Sequence, residues 1–329
     1  MTKGKQIIDK FAEGDFPGAN CKPKRITTAI SNLFLCNDKV YKIYMDDSAF
    51  FNKDFNDLSI KENRLSFTRN DFEWNNKLSP EIYTDLRGVV LEDGKIKFTE
   101  ADDIADEFVI VMNKIDMSYS LIERLLKNSI SMQDCYSIGF ELGKREASLP
   151  KIKINKSLYE DQETRLVDMT AWVKAAGKYF EKGECDKYLN KLSEYIKQNK
   201  NWFIENNNLV GPCLDIHADN AVLDKDGTFL PLDTYAPKID WLTGYKFLNV
   251  YRIAADIYVF LGKRYFDEVL RGYEKSTNNK IPRGLDNYFI LYCQLIVCPY
   301  QYMLSENNQS RLAIAKKYHS FLKEINKLS

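Results

Sequence analysis

Histidine is nearly missing from this chain: His217 and His319 are the two copies in 329 residues. Chemistry built on clustered histidines, such as that of His-rich zinc hydrolases and metal phosphohydrolases, is excluded on that count. Neither histidine accompanies the nucleophile elbow that a serine or cysteine hydrolase needs. A surplus of charge is missing too. Lys plus Arg and Asp plus Glu number 47 each, so no overall field draws the chain to nucleic acid or to an anionic membrane. No CxxC pair occurs among the seven cysteines (Cys21, Cys36, Cys135, Cys185, Cys213, Cys293 and Cys298). Their odd number and scatter predict reduced, mostly buried thiols in a cytoplasmic protein rather than a disulfide framework. Long apolar runs are absent: "MTKGKQIIDKFAEGDF" lacks the apolar core of a signal peptide. The most apolar stretch, "YFILYCQLIVC" from Tyr288, contains Gln294, stops at Pro299 and falls short of the ~20 residues of a membrane span, so it reads as a buried helix. No GxxxxGK[ST] string exists. The nearest, Gly139 to Lys144, is one residue short and lies on an expected helix.

What is present organises itself into two parts, as a chain of this length suggests at about 150 residues per domain. "NLFLC" and "KVYKIYM" are β-rich runs joined at Asn37-Asp38, a hairpin signal. "KENRLSFTRNDFEWNNKL" has helical propensity and ends before Pro80. "LRGVVL" and "KIKFTE" flank Glu92-Asp93-Gly94, a second hairpin, and "EFVIVMNKI" reads as a buried strand leading into a connector. From there the apolar spacing turns helical, interrupted by one small hairpin, "NAVLD" and "TFLPLD" around the turn "KDG". The string "YEDQET" reads as a solvated helix start. The fold class expected is α+β in a protein-kinase-like bilobal arrangement: a small antiparallel N-lobe sheet with one helix over 1–112, and a mainly helical C-lobe over 113–329.

The stretch "CLDIHADNAVL", residues 213–223, sets two aspartates, a histidine and an asparagine close together before an apolar strand. A metal loop, a catalytic loop and an ordinary polar turn compete for it. Phosphoryl transfer from ATP needs a strand lysine on the phosphates, an aspartate at the acceptor hydroxyl, and an asparagine and a second aspartate on magnesium. Asp215 is followed five residues later by Asn220, the hairpin comes next, and Asp233 ends it, while Lys42 lies on a strand of the earlier sheet. A lone strand lysine is ordinarily exposed. The other positions are informative because they match together, at fixed spacing and in order.

On these residues, together with "ITTAISNLFLCNDKVYKIYM", "NDFEWNNKLSPEIY", "LIERLL" and "AADIYVFL", the chain resembles the aminoglycoside phosphotransferase (APH)-like group of kinases, whose loop usually reads His-Gly-Asp-x-His-x-x-Asn. The resemblance runs from about Arg25 to Leu261 and is nearest to a bacterial branch whose longer members carry an extra P-loop domain. It implies ATP and Mg²⁺ as cofactors and a small-molecule hydroxyl acceptor, with no nucleic-acid or membrane partner. Asp215 would be the catalytic base, Asn220 and Asp233 the metal ligands, and Lys42 the phosphate-holding lysine. Lys42 would pair with Asp71 or, as an alternative, Glu73. Thr27, Thr28 and Ser31 would form the turn over the phosphates, and Met112 to Ile115 would meet adenine. His217 and Asp256 would brace the loop, and Asp219 is read as a turn residue. Two departures stand out: Cys213-Leu214 replaces His-Gly, and "DTYAPK" lacks an acidic residue often found there. A non-catalytic nucleotide- or partner-binding protein, a protein kinase and a nucleotide-transferring enzyme remain alternatives.

Overall fold

Tight turns set the register of the first unit. The computed structural model describes residues 2–150 and 156–327. In it β1 (Lys24–Thr27), β2 (Ser31–Cys36), β3 (Lys39–Tyr44), β4 (Tyr83–Glu92), β5 (Lys95–Thr99) and β6 (Glu107–Asn113) form an antiparallel sheet in the order β1-β2-β3-β6-β4-β5. Asn37 turns β2 into β3 at positive φ. Asp93 and Gly94, both at positive φ, turn β4 into β5 in the geometry that matches strand twist. Side chains alternate across the sheet. Tyr41 and Ile43 of β3 therefore join Phe34, Val89 and Val109 under α1 (Lys3–Glu13), which contributes Ile7 and Phe11. Lys42 and Tyr44 face the other way, toward α3 (Lys61–Leu78), which packs on β3, β4 and β6. The buried pair Arg64 and Glu107 pins α3 to β6, and Arg64 Nη1 also donates to the Leu58 carbonyl at 2.6 Å. To the single helix expected here the structure adds α1 and the short α2 (Ala49–Asp54).

Contacts group Met1–Met117 with Pro231–Ile239 as one unit, and Ser118–Leu230 with Asp240–Ser329 as the other. The later segment joins the sheet unit for local reasons. Ser79 donates to the Pro231 carbonyl, the Thr234 backbone N–H donates to Asn75, and Tyr235 lies against the rings of Phe67 and Trp74.

The helical unit opens with α4 (Leu121–Leu126), α5 (Met132–Glu146), α6 (Leu158–Ala175), α7 (Glu184–Gln198) and α8 (Lys200–Glu205). It then carries the short strands β7 (Val210–Pro212), β8 (Ala221–Leu223), β9 (Phe229–Pro231) and β10 (Thr243–Tyr245), with β7 paired to β10 and β8 to β9. Four helices follow: α9 (Leu248–Leu261), α10 (Lys263–Thr277), α11 (Asp286–Asn307) and α12 (Arg311–Ile325). Gly139 and Gly143 serve close packing of α5 on α10. A Cβ at Gly139 would lie 1.9 Å from the Val269 carbonyl oxygen, and one at Gly272 would lie 2.0 Å from that of Tyr136. Among the described residues no helix is long and apolar enough to cross a membrane.

Three expectations are corrected. The helix around "YFILYCQLIVC" does not stop at Pro299 but runs through it to Asn307. A proline inside a helix deprives the carbonyl four residues back of its donor, yet Cys298, Gln301 and Tyr302 stay buried, and packing of α11 on α12 and α9 carries the helix past it. "YEDQET" is not wholly solvated. Ser157 and Glu160 form a capping box at the start of α6, and the next turn buries Asp161 and Gln162, with Asp161 on Arg165 at 2.8 Å. The cysteines are not all thiols. Cys21 and Cys36 are paired as a disulfide with Cα atoms 6.0 Å apart, because the chain between α1 and β1 folds back along the end of β2. Cys135, Cys185, Cys213, Cys293 and Cys298 are free, all but Cys185 buried.

Candidate active site

Strand alternation sends Lys42 into the space beneath α3, where it is 3 % exposed. An ammonium group taken out of water needs opposite charge close by. Asp71 Oδ2 lies 3.1 Å from its Nζ and Asp233 Oδ1 2.5 Å, with the Tyr44 ring centroid at 4.7 Å. Burial by itself would lower the Lys42 pKa, but the Asp233 carboxylate and then that of Asp71 outweigh it, and the ammonium is held well above its ordinary value. Asp71 is fixed in turn. The Tyr44 hydroxyl donates to its Oδ2 at 2.9 Å, and Asn75, one turn further along α3, donates to its Oδ1 at 2.7 Å. Glu73 points off the helix into solvent.

Asp233 sits in left-handed backbone at φ 48°, uncommon for a residue with a side chain. Tyr83 holds that conformation by accepting the Asp233 N–H at 2.8 Å, and Asn75 Oδ1 takes the Thr234 N–H at 2.9 Å. The Asp233 side chain remains 60 % exposed while one carboxylate oxygen rests on Lys42.

In the helical unit the loop 213–220 is anchored by one stripe of α9. Asn249 accepts the Leu214 N–H at 2.7 Å and donates to the Pro212 carbonyl at 3.0 Å. Arg252 donates to Asp215 Oδ1 at 2.8 Å, and Asp256 accepts the Ala218 N–H at 2.7 Å. Positions 249, 252 and 256 share a helix face by the spacing i, i+3, i+7. Asn220 turns its amide nitrogen back to the Asp215 carbonyl at 3.0 Å. His217 is buried against the Tyr300 ring, 5.2 Å between centroids, and its Nδ1 accepts the Asp219 N–H at 3.3 Å. Asp219 is more than a turn residue: its carboxylate takes hydrogen bonds from Gln301 of α11 and Arg311 of α12.

Burial pushes the Asp256 carboxyl up to about 6, against the pull of the Ala218 N–H and of His217. A folded-state value above the ordinary ~3.9 means that the folded chain holds a proton more tightly than the unfolded one, so this group's contribution to stability falls as pH rises from about 4 to 6. Asp256→Asn removes that dependence. Relative to wild type, the variant is expected to gain roughly 2–3 kcal/mol between pH 4 and pH 7 in urea unfolding. An unchanged difference across that range would mean that Asp256 does not titrate there.

The remaining sequence-predicted positions fall as follows. Thr28 closes the turn between β1 and β2: its hydroxyl accepts the N–H groups of Ile30 and Ser31 at 3.3 and 2.9 Å, so those two amides are already engaged. Thr27 donates to Asn32 at 3.0 Å. Met112 is buried on β6 opposite Val40, and Ile115 is half-buried just beyond that strand. Tyr44, Asn75, Tyr83, Asn249 and Arg252 were not singled out from sequence. For Tyr44 the signal was its position two residues from Lys42 on one strand face. For Asn249 and Arg252 it was polarity at helical spacing in the apolar run "LNVYRIAADIYVFL". Asn75 and Tyr83 gave none.

Asn220 in the helical unit and Asp233 in the sheet unit each bring oxygen, the donor type that magnesium takes. Among the described residues no cluster of three or more His, Cys, Asp or Glu could hold a metal unaided.

No family model and no curated protein matches the sequence. Among solved structures, a choline/ethanolamine kinase family protein from Mesorhizobium loti matches over 97 % of this chain and 94 % of its own, at TM-score 0.51 and 12 % identity. Choline kinase LicA from Streptococcus pneumoniae matches over 97 % and 100 %, at TM-score 0.50 and 11 % identity. Aminoglycoside phosphotransferase APH(3'')-Id from Streptomyces rimosus covers 90 % and 99 %, at TM-score 0.46 and 12 % identity. At such identities the likeness is one of fold. The chain has the α+β, protein-kinase-like fold, in the form taken by the choline/ethanolamine kinases and expected from the APH-like loop.

Proposed function

We propose that the chain is an ATP-dependent phosphotransferase that moves a γ-phosphoryl group to a hydroxyl of a small molecule. Lys42 carries this reading. Two charges taken from water cost several kcal/mol, and an apolar residue on β3 would fill the same space without that cost. A lysine sunk between two carboxylates is what holding the phosphates of ATP requires. In this reading Lys42 grips the α- and β-phosphates and Asp71 fixes its direction. The turn of Thr27, Thr28 and Ser31 covers the phosphates, and Met112 and Ile115 meet adenine. Asn220 and Asp233 hold Mg²⁺, which when bound neutralises charge on the phosphates. Asp215 orients the acceptor hydroxyl and receives its proton as the oxygen–phosphorus bond forms and ADP leaves. Two structures sharing the fold, at TM-scores 0.51 and 0.50, are named as a choline/ethanolamine kinase family protein and a choline kinase, which favours a small acceptor over a protein side chain.

Thermal unfolding tests the nucleotide part whatever the acceptor is, because a ligand of the folded state raises its stability. Mg-ATP is expected to raise the unfolding temperature of wild type, and Asp233→Asn is expected to lose the magnesium-dependent part of that rise. No rise at millimolar Mg-ATP would overturn the reading.

A further inference from the structure

We infer that Arg252 is a positioning residue for Asp215, holding its carboxylate aimed so that one oxygen is presented to the acceptor hydroxyl. The inference rests on the phosphotransferase reading above and adds to it a residue outside the loop motif.

Of the contacts that the α9 stripe makes with the loop, those of Asn249 and Asp256 go to backbone groups of residues 212, 214 and 218. They fix where the loop runs. Arg252 instead grips a side chain, and that side chain is Asp215. Every residue of α9 from Leu248 to Ile257 is buried, with Arg252 9 % exposed among them. Its guanidinium reaches Asp215 through Nη1 alone, and its Nε has no hydrogen-bond partner. Tyr292 and Cys293 face it but bring no carboxylate.

As a device for stability the arrangement is poor. A buried guanidinium is repaid when it binds a carboxylate through two parallel hydrogen bonds and leaves no donor unmet. Here the bond is single, and its acceptor is 38 % exposed. A methionine at 252 would fill the same volume at lower cost. What the arginine supplies is direction. It takes Oδ1 and so limits rotation of the carboxylate, while Asn220 separately holds the backbone carbonyl of the same residue. The second carboxylate oxygen is then the one that meets the acceptor.

Hydrolysis of ATP, with water as acceptor, gives a readout that needs no knowledge of the natural substrate. Wild type, Arg252→Lys, Arg252→Met, Asp215→Asn and Asp215→Asn with Arg252→Met are compared for hydrolysis rate and Mg-ATP affinity. Arg252→Met is expected to bind Mg-ATP as wild type does and to hydrolyse it roughly tenfold or more slowly, with Arg252→Lys in between. In the Asp215→Asn background the same change is expected to cost less than about threefold, since the residue through which Arg252 acts has lost its charge. Asp215→Asn by itself is expected to lower the unfolding temperature by leaving the guanidinium buried beside a neutral group. Unaltered hydrolysis in Arg252→Met, or an equal loss in both backgrounds, would overturn the inference while leaving the phosphotransferase reading intact. A wild type that neither binds nor hydrolyses Mg-ATP would overturn both.

Discussion

Asp215→Asn is expected to lower turnover by roughly 10²–10⁴ while leaving Mg-ATP affinity near the wild-type value. The substitution keeps the shape of the side chain and an oxygen for Arg252, so the loop stays where Asn249 and Asp256 hold it. What goes is the negative charge and the capacity to take a proton. The residues proposed to bind the nucleotide, Lys42, Asp71 and Asp233, are untouched by the change. Turnover under saturating Mg-ATP and a dissociation constant measured by calorimetry separate the two effects. Turnover within a few-fold of wild type would remove Asp215 as the base, and a parallel collapse of affinity would assign it to nucleotide binding instead.

Lys42→Met is expected to abolish measurable Mg-ATP binding and to cost about 3–5 kcal/mol of folding stability at pH 7, the range seen when one partner of a buried ion pair is removed. Asp71, 1 % exposed, then loses its cation. Tyr44 and Asn75 still donate to it, but an unpaired carboxylate in that position favours taking up a proton. The cost therefore belongs to the ionised form: it is full at neutral pH and shrinks as the medium is acidified. Adding Asp71→Leu is expected to restore much of the stability and none of the nucleotide binding. Urea unfolding of the single and double variants at pH 5 and pH 7 decides it. A single variant as stable as wild type at pH 7 would mean that the pair is not formed in solution.

These expectations show where the sequence was readable and where it was not. The turns at Asn37-Asp38 and Asp93-Gly94 were legible because positive backbone angles restrict residue choice. The helix over 61–78 was legible because a run of residues with helical propensity ends just before Pro80. Spacing also drew attention to Asp215, Asn220 and Asp233 as a set. It could not show what holds each in place, since Tyr83 under Asp233 and Arg252 on Asp215 lie 150 and 37 residues away along the chain. Lys42 taken alone reads as an exposed strand residue. Its burial depends on α3 covering that face of the sheet, a fact of packing rather than of local pattern. Pro299 misled for the same reason: a rule about backbone donors gave way to the apolar surroundings of α11. The pairing of Cys21 with Cys36 depends on the path of the chain between α1 and β1, which no spacing rule encodes.

The return of residues 231–239 to the sheet unit has a consequence for synthesis. On the ribosome the sheet and α3 emerge early, with Lys42, Asp71, Asn75 and Tyr83 already in place to meet partners that do not yet exist. More than a hundred residues separate Met117 from Pro231, which at about 5–20 residues per second is a delay on the order of ten seconds. Throughout that interval Lys42 has Asp71 and the Tyr44 ring but not Asp233, and Asn75 Oδ1 lacks the Thr234 N–H. The nascent sheet unit is thus an open clasp, closed only when the segment carrying Asp233 and Tyr235 leaves the exit tunnel. A chain cut after Met117 would keep every strand of the sheet and lack its fastening.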